Sequence, residues 1–216
     1  MKKTTRLVSV LLVVILCLSV LPVSALAAGS SGWKQDDYGN WQYYSNGYPI
    51  ADQWKKSGGS WYYFDDYGIM VSGGLYQIDD TWYCFKDSGA LLTGWKQFFM
   101  GSESIWMYFT SNGMVTGWKK IGGSWYFFED GSNDLPLGVM YQSDTYGSYA
   151  SAIINNEEFA FKSSGAMVTG WVHYTDDYGN YLGWAYYTSS GARAQSGYMV
   201  RNGRTYYFSD GWCTNP

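Results

Sequence analysis

The chain has 216 residues, of which 12 are Trp, 22 Tyr and 10 Phe, while only 15% are charged. Disordered chains are poor in aromatics and rich in charge, so disorder is excluded; the aromatic excess together with 27 Gly points to many short strands joined by tight turns. The formal net charge is −4, and because Lys2, Lys3 and Arg6 lie in the first 28 residues, the remainder carries 11 basic against 18 acidic residues, a balance that repels nucleic acid and tolerates a cationic ligand.

In chain order, the first predicted element is a leader. Lys2, Lys3 and Arg6 precede an apolar run from Leu7 to Leu21, then Pro22 and the small-residue stretch Ala25-Leu26-Ala27-Ala28. This pattern reads as a secretory signal peptide over residues 1–28, cleaved after Ala27 or Ala28. The apolar run is shorter than the roughly 20 residues a spanning helix needs. The mature chain is therefore expected to be exported with no membrane span. Residues 29–32 read as a short linker and 33–216 as one aromatic repeat domain. Leu135-Pro136-Leu137-Gly138 lies mid-chain and lacks the Thr-Gly ending of a wall-sorting signal, so noncovalent attachment is expected. Cys84 reads as a buried free thiol in an aromatic strand; its pairing with Cys213 is left open.

From Trp33 onward the chain repeats itself. Met114-Val-Thr-Gly-Trp118 recurs as Met167-Val-Thr-Gly-Trp171, and Gly58-Gly-Ser-Trp-Tyr62 recurs as Gly122-Gly-Ser-Trp-Tyr126. Anchored on the first Trp, about eight units begin at Trp33, Trp54, Leu75, Trp95, Trp118, Met140, Trp171 and Tyr198. The second anchor follows seven residues later in three units and eight, eleven or thirteen later in those of Trp33, Trp95 and Trp171. Variable length between fixed aromatic ends reads as a surface loop. The sixth unit diverges most, with Glu158 where the second Trp would stand.

Each unit reads as a β-hairpin, with no helical periodicity after residue 28. In a strand such as Trp61-Tyr62-Tyr63-Phe64, side chains alternate between faces. Two apolar faces on one short hairpin are buried only by stacking on neighbouring hairpins. The second and fourth strand positions, Tyr62, Phe64, Tyr83, Phe85, Tyr126 and Phe128, are read as structural. The paired Trp are read as functional, since indole gives the best face for a cation.

These Gly-Trp, Trp-Tyr-Tyr and Gly-x-Met-x-Thr-Gly elements resemble the choline-binding, or cell-wall-binding, repeat family of Gram-positive secreted proteins, over essentially all of residues 33–216. The resemblance implies an all-β solenoid of stacked hairpins with ligand cages between neighbours, each using two Trp of one unit and an aromatic of the next. Carried over by position, it implies ligand-binding sets of Trp33, Trp41 and Tyr63; Trp95, Trp106 and Phe127; and Trp171, Trp184 and Tyr207. Elsewhere the third ring is lost: Trp54 and Trp61 would face Cys84, and Trp118 and Trp125 would face Ala160. Two or three working cages are expected.

No catalytic set is found. The acid pairs Asp36-Asp37, Asp65-Asp66, Asp79-Asp80 and Asp176-Asp177 recur at turns and read as turn residues rather than paired glycosidase carboxylates. His173 is the single histidine, which excludes a His-based triad and a zinc set. The chain is thus expected to be a non-enzymatic binding protein without metal or cofactor, docked noncovalently on choline-bearing teichoic acid at the cell wall. Two alternatives stay open: carbohydrate binding of the glucan type by the same repeats, and a structural or adaptor solenoid.

Overall fold

The computed structural model describes residues 29–133, 135–143, 149–176 and 178–216. The leader expected over residues 1–28 lies outside the described residues, as does Asp177 of the last acid pair. Among the described residues every regular element is a strand, and the strands form eight antiparallel hairpins in chain order. These are β1 (Gly32–Gln35) and β2 (Trp41–Ser45) with β3 (Tyr48–Pro49); β4 (Gln53–Ser57) and β5 (Ser60–Phe64); β6 (Gly74–Ile78) and β7 (Thr81–Phe85); and β8 (Gly94–Met100) and β9 (Glu103–Thr110) with β10 (Gly113–Met114). They continue with β11 (Gly117–Ile121) and β12 (Ser124–Phe128); β13 (Ala150–Ile154) and β14 (Glu157–Phe161); β15 (Gly170–Thr175) and β16 (Tyr181–Tyr187); and β17 (Gly197–Arg201) and β18 (Arg204–Ser209) with β19 (Trp212–Cys213). The all-β hairpin architecture expected from the repeats is the observed fold.

The turns explain why these short segments pair so regularly. Two-residue turns at Gly58-Gly59 and Gly122-Gly123 have positive φ at both positions, 55° and 83° in the first and 56° and 89° in the second. That geometry matches the twist of the flanking strands. Asp79-Asp80 and Asn155-Asn156 make the same turn without glycine, so one of the acid pairs is itself the hairpin bend. The long unit of Trp95 differs from the sequence expectation. Its extra residues lengthen the ladder as far as Met100 opposite Glu103, and the turn stays two residues long.

The chain divides into two compact units: the described residues up to Gln53 together with Phe64–Met70, and Trp54–Tyr63 together with Val71–Pro216. In the smaller unit, Trp33 packs on Tyr43 and Phe64, both at 5.5 Å between ring centroids. In the larger unit successive hairpins stack face to face. The last aromatic of each strand forms the centre of the stack: Phe85, Phe109, Phe128, Phe161 and Tyr187 are all at most 2% exposed. Burying such a ring is worth about 1.5–3 kcal/mol, which supplies the stability that a lone hairpin lacks. Cys84 belongs to this core with Met107, Phe109 and Val139; it and Cys213 are free thiols, and burial pushes the Cys84 thiol up from its ordinary pKa.

The sixth unit begins later than the sequence suggests. Met140 does not open it: its N–H donates to Trp106 O at 2.8 Å and it bridges to Phe128, so it closes the fifth unit. The sixth hairpin starts at β13, where Ser151 stands opposite Ala160 as Trp118 stands opposite Phe127 one hairpin earlier. Between them, the longer segment after Phe128 is fastened by Glu129. This carboxylate is fully buried and accepts hydrogen bonds from Gly131 N at 2.7 Å, Asn133 N at 3.0 Å and the Tyr141 hydroxyl at 2.8 Å. Burial pushes its pKa up, but the bonds from Asn133, Tyr141 and Gly131 outweigh that and hold the carboxyl below its usual range.

Candidate functional site

The ladder register explains how the Trp pairs form. On β8 and β9, Trp95 is opposite Tyr108 and Gln97 is opposite Trp106, so Trp106 is the diagonal neighbour of Trp95 on the same sheet face. The two indoles stand edge to face, 6.4 Å apart at 83°. Trp171 and Trp184 repeat this at 6.4 Å and 87°, and in the smaller unit Trp33 and Trp41 at 6.2 Å and 85°. Two perpendicular ring walls leave a corner open to a third group.

That third group comes from the next hairpin. Tyr126 lies 5.1 Å from Trp95, and together with Trp106, Met140, Gln142, Ser163 and Ser164 they line an open cavity of about 440 Å³. Tyr206 lies 4.8 Å from Trp171, and with Trp184 and Pro216 they enclose about 240 Å³. Phe159 lies 4.8 Å from Trp118, and a cavity of about 430 Å³ is lined by Trp118, Trp125, Phe159, Met167, Glu157, Ser189 and Ser190. Trp54 carries Tyr83 at 4.8 Å in the same relation.

In the larger unit these contacts move the third ring of the expected Trp95 and Trp171 sets by one residue, to Tyr126 and Tyr206. Phe127 is 1% exposed and packs at 5.1 Å on Trp118 of its own hairpin. Tyr207 faces Tyr198 across its own ladder at 6.5 Å, and Tyr63 packs on Trp54 at 5.2 Å within the larger unit. The cause is the two-residue period of a strand. The third position shares a face with its own first anchor, whereas the second and fourth positions point back to the preceding hairpin. Tyr126, read from the sequence as structural, is therefore a cavity wall. The same shift gives Trp118 a ring at Phe159, so the loss expected at Ala160 does not occur. Trp54 likewise meets Tyr83 rather than Cys84.

In the Trp95 and Trp118 cavities a turn-closing Met supplies a further wall. Met140 N–H bonds to Trp106 O and Met167 N–H to Trp125 O, both at 2.8 Å, and Leu91 N–H to Trp61 O at 2.7 Å. Each Met side chain then rests on a glycine of the following turn: a Cβ at Gly165 would land on the Met140 sulfur, and one at Gly191 on that of Met167. The thioether is held against the cavity because that glycine has no side chain.

The remaining candidates are spent on structure. Asp36 accepts from Tyr38 N at 2.9 Å and Asn40 N at 2.8 Å, and Asp176 repeats the arrangement with Tyr178 and Asn180. The Asn40 and Asn180 side chains, with these backbone donors, lower both carboxyl pKa values. His173 stacks on Tyr181 at 5.1 Å. Among the described residues no group of His, Cys, Asp or Glu is arranged to hold a metal, and no helix is long and apolar enough to cross a membrane.

Residues 51–95 match the family model of the choline-binding repeat, and residues 116–132 that of the cell wall binding repeat. No curated protein sequence matches the chain. Among solved structures, it is similar to choline binding protein F from Streptococcus pneumoniae in crystal form II, at 29% identity and a TM-score of 0.61 over 81% of this chain and 55% of that one. The same protein crystallised in the presence of a peptidoglycan analogue, a tetrasaccharide-pentapeptide, matches at 30% identity with the same TM-score and coverage. The chain thus spans about half the length of that protein. It also matches the choline-binding domain of CbpL from Streptococcus pneumoniae at 25% identity and a TM-score of 0.51, over 87% of this chain and 98% of that one. The matched segments are repeats of the choline-binding, or cell-wall-binding, family, and the hairpin fold of the chain is that of choline-binding repeat domains.

Proposed function

We propose that this protein is a secreted, non-catalytic binder that holds itself to the cell wall by taking the choline groups of teichoic acid into the cavities between its hairpins. The observation that carries this reading is the recurrence of one arrangement, two indoles of one hairpin plus a ring from the next, at Trp95, Trp118 and Trp171, with the indoles perpendicular at Trp95 and Trp171. A quaternary ammonium has no N–H to donate, so it is held by ring faces, each contact contributing about 0.5–2 kcal/mol. The rings already attract a cation of the chain itself: the Lys56 ammonium lies 5.9 Å from the Trp61 ring centroid. The acidic balance of the mature chain favours the same ligand. Single sites of this kind are weak, and several on one chain raise overall affinity where one polymer reaches more than one of them.

The test is retention on an immobilised choline analogue with elution by free choline. Retention that Trp95→Ala and Trp171→Ala each weaken supports the reading. No retention on choline, with retention on a glucan, supports carbohydrate binding instead. One feature favours that second reading: beside Trp106 and Met140 runs a groove of about 700 Å³ that includes Ser104, Gln142, Ser143, Ser151 and Ser163, whose hydroxyl and amide groups suit sugar hydroxyls.

A further inference from the structure

The residue that closes a turn of the larger unit at Met140 and at Met167 has two relations, and they identify an additional position of the same construction. Its N–H bonds to the carbonyl of the second anchor of the preceding hairpin, and its side chain rests on a glycine of the following turn, as Met140 and Met167 do. Arg193 satisfies both. Its N–H donates to Glu158 O at 2.8 Å, and a Cβ at Gly211 would meet its Nε at 2.7 Å. Arg193 therefore stands as Met140 and Met167 do, and Glu158 as Trp106 and Trp125 do.

What fills this position is a cation belonging to the chain. Arg193 Nη1 donates to Glu158 Oε1 at 2.8 Å and Oε2 at 3.0 Å, and Nε to Gly211 O at 3.1 Å. The guanidinium carbon lies 4.6 Å from the Trp212 ring centroid and 5.9 Å from that of Tyr174. Its Nη2 is buried with no hydrogen-bond partner among the described residues, so acceptors hold two of its nitrogens and ring faces supply the rest of its surroundings. Trp212 reaches it because Gly183 has no side chain; a Cβ there would meet the indole. Gln195 Nε2 adds a bond to Glu158 Oε2 at 3.2 Å.

We propose that this is a further cation site of the stack, closed to ligand by Arg193 as its resident occupant, and that with Arg193 removed it accepts a small organic cation between Glu158 and Trp212. The inference extends the reading of the open cavities as cation sites. It predicts that Arg193 lowers the number of ligands the chain takes up. Because Trp212 lies on β19, which pairs with β18 carrying Tyr206, Arg193 also fastens the hairpin that completes the Trp171 and Trp184 cavity.

The experiment is calorimetric titration of the full chain and of Arg193→Ala with methylguanidinium and with choline at constant ionic strength, together with thermal melts. The expected result is one more equivalent of methylguanidinium bound by Arg193→Ala than by the wild type, a lowered melting temperature that this cation restores, and loss of both effects in Arg193→Ala/Glu158→Gln. Equal stoichiometry in wild type and variant, with no recovery of the melting temperature, overturns the proposal. If Arg193→Ala does not fold, Arg193→Met, which installs the side chain carried at Met140 and Met167, is read in the same way. Choline uptake by the wild type reports on the open cavities alone, so a wild type that ignores choline refutes the function proposed above and leaves the methylguanidinium comparison to decide this one.

Discussion

The cavity at Trp95 and Trp106 and the closed position at Glu158 and Arg193 have the same backbone and different contents. Each has a turn residue bonded to the second anchor's carbonyl one hairpin back, and a side chain seated on the next turn's glycine. In the first, aromatic walls and a thioether leave a space of about 440 Å³. In the second, a carboxylate and a guanidinium close on each other with side chains only 20% and 11% exposed. The backbone therefore creates the location, and the two side chains at the second anchor and the turn decide whether it is vacant or self-filled. A buried ion pair of this kind is costly to break on one side only, since the partner charge is left without compensation.

The sharpest way to break the comparison is to exchange the roles of adjacent strand positions. Phe127→Ala removes a ring that is 1% exposed and is expected to cost about 3–5 kcal/mol in chemical denaturation, while a variant that remains folded keeps its Trp95 site. Tyr126→Ala is expected to do the reverse, a smaller loss of stability with one fewer ligand bound by calorimetry. If Phe127 rather than Tyr126 controls uptake at Trp95, the assignment of faces fails.

Next in size is the glycine seat. Gly165 has φ of 76° and carries the Met140 thioether. Gly165→Ala is expected to lower stability by about 1–2 kcal/mol through backbone strain and to weaken the Trp95 site as Met140 is displaced. Gly211→Ala, with φ of 81° and its Cβ against Arg193, should lower the melting temperature and leave ligand affinity at Trp95 unchanged.

A smaller effect is expected from Trp95→Ala on retention. Losing one ring face removes about 0.5–2 kcal/mol from one site, read as earlier elution from a choline matrix while the other cavities still hold.

The smallest concerns pH. The Glu129 carboxyl is held below its usual range in the folded chain, so its contribution is present above the ordinary Glu value of about 4.3 and is lost as pH falls through the lower folded value. Glu129→Gln is therefore expected to lower stability at neutral pH and to flatten the acid limb of a melting-temperature profile. An unchanged acid limb would remove Glu129 from the account.

Much of this was legible in the sequence because the repeats restate it. The hairpin fold and the two-indole pairing follow from Trp spacing, two-residue turns and strand alternation. The face of the third ring was not legible from spacing, because adjacent aromatics such as Tyr126 and Phe127 are chemically interchangeable and only the ladder register separates them. Met140 was misread as an opening anchor because the segment before it is long; its backbone bond to Trp106 reveals its place. Glu158 was visible as a missing Trp, but its partner Arg193 lies 35 residues on, and Trp212 reaches it only across the bare backbone of Gly183.

The sharing of each cavity between one hairpin's indoles and the next hairpin's ring and turn means that binding capacity counts seams rather than repeats. A chain shortened by its final hairpin would keep Trp171 and Trp184 intact and still forfeit their site, because Tyr206 leaves with the deleted strand. Adding one whole hairpin to an end creates a single new seam whose content depends on both neighbours. Under the proposed function, length changes would therefore alter ligand uptake in whole-site steps, and the identity of the joined edges would matter as much as their number.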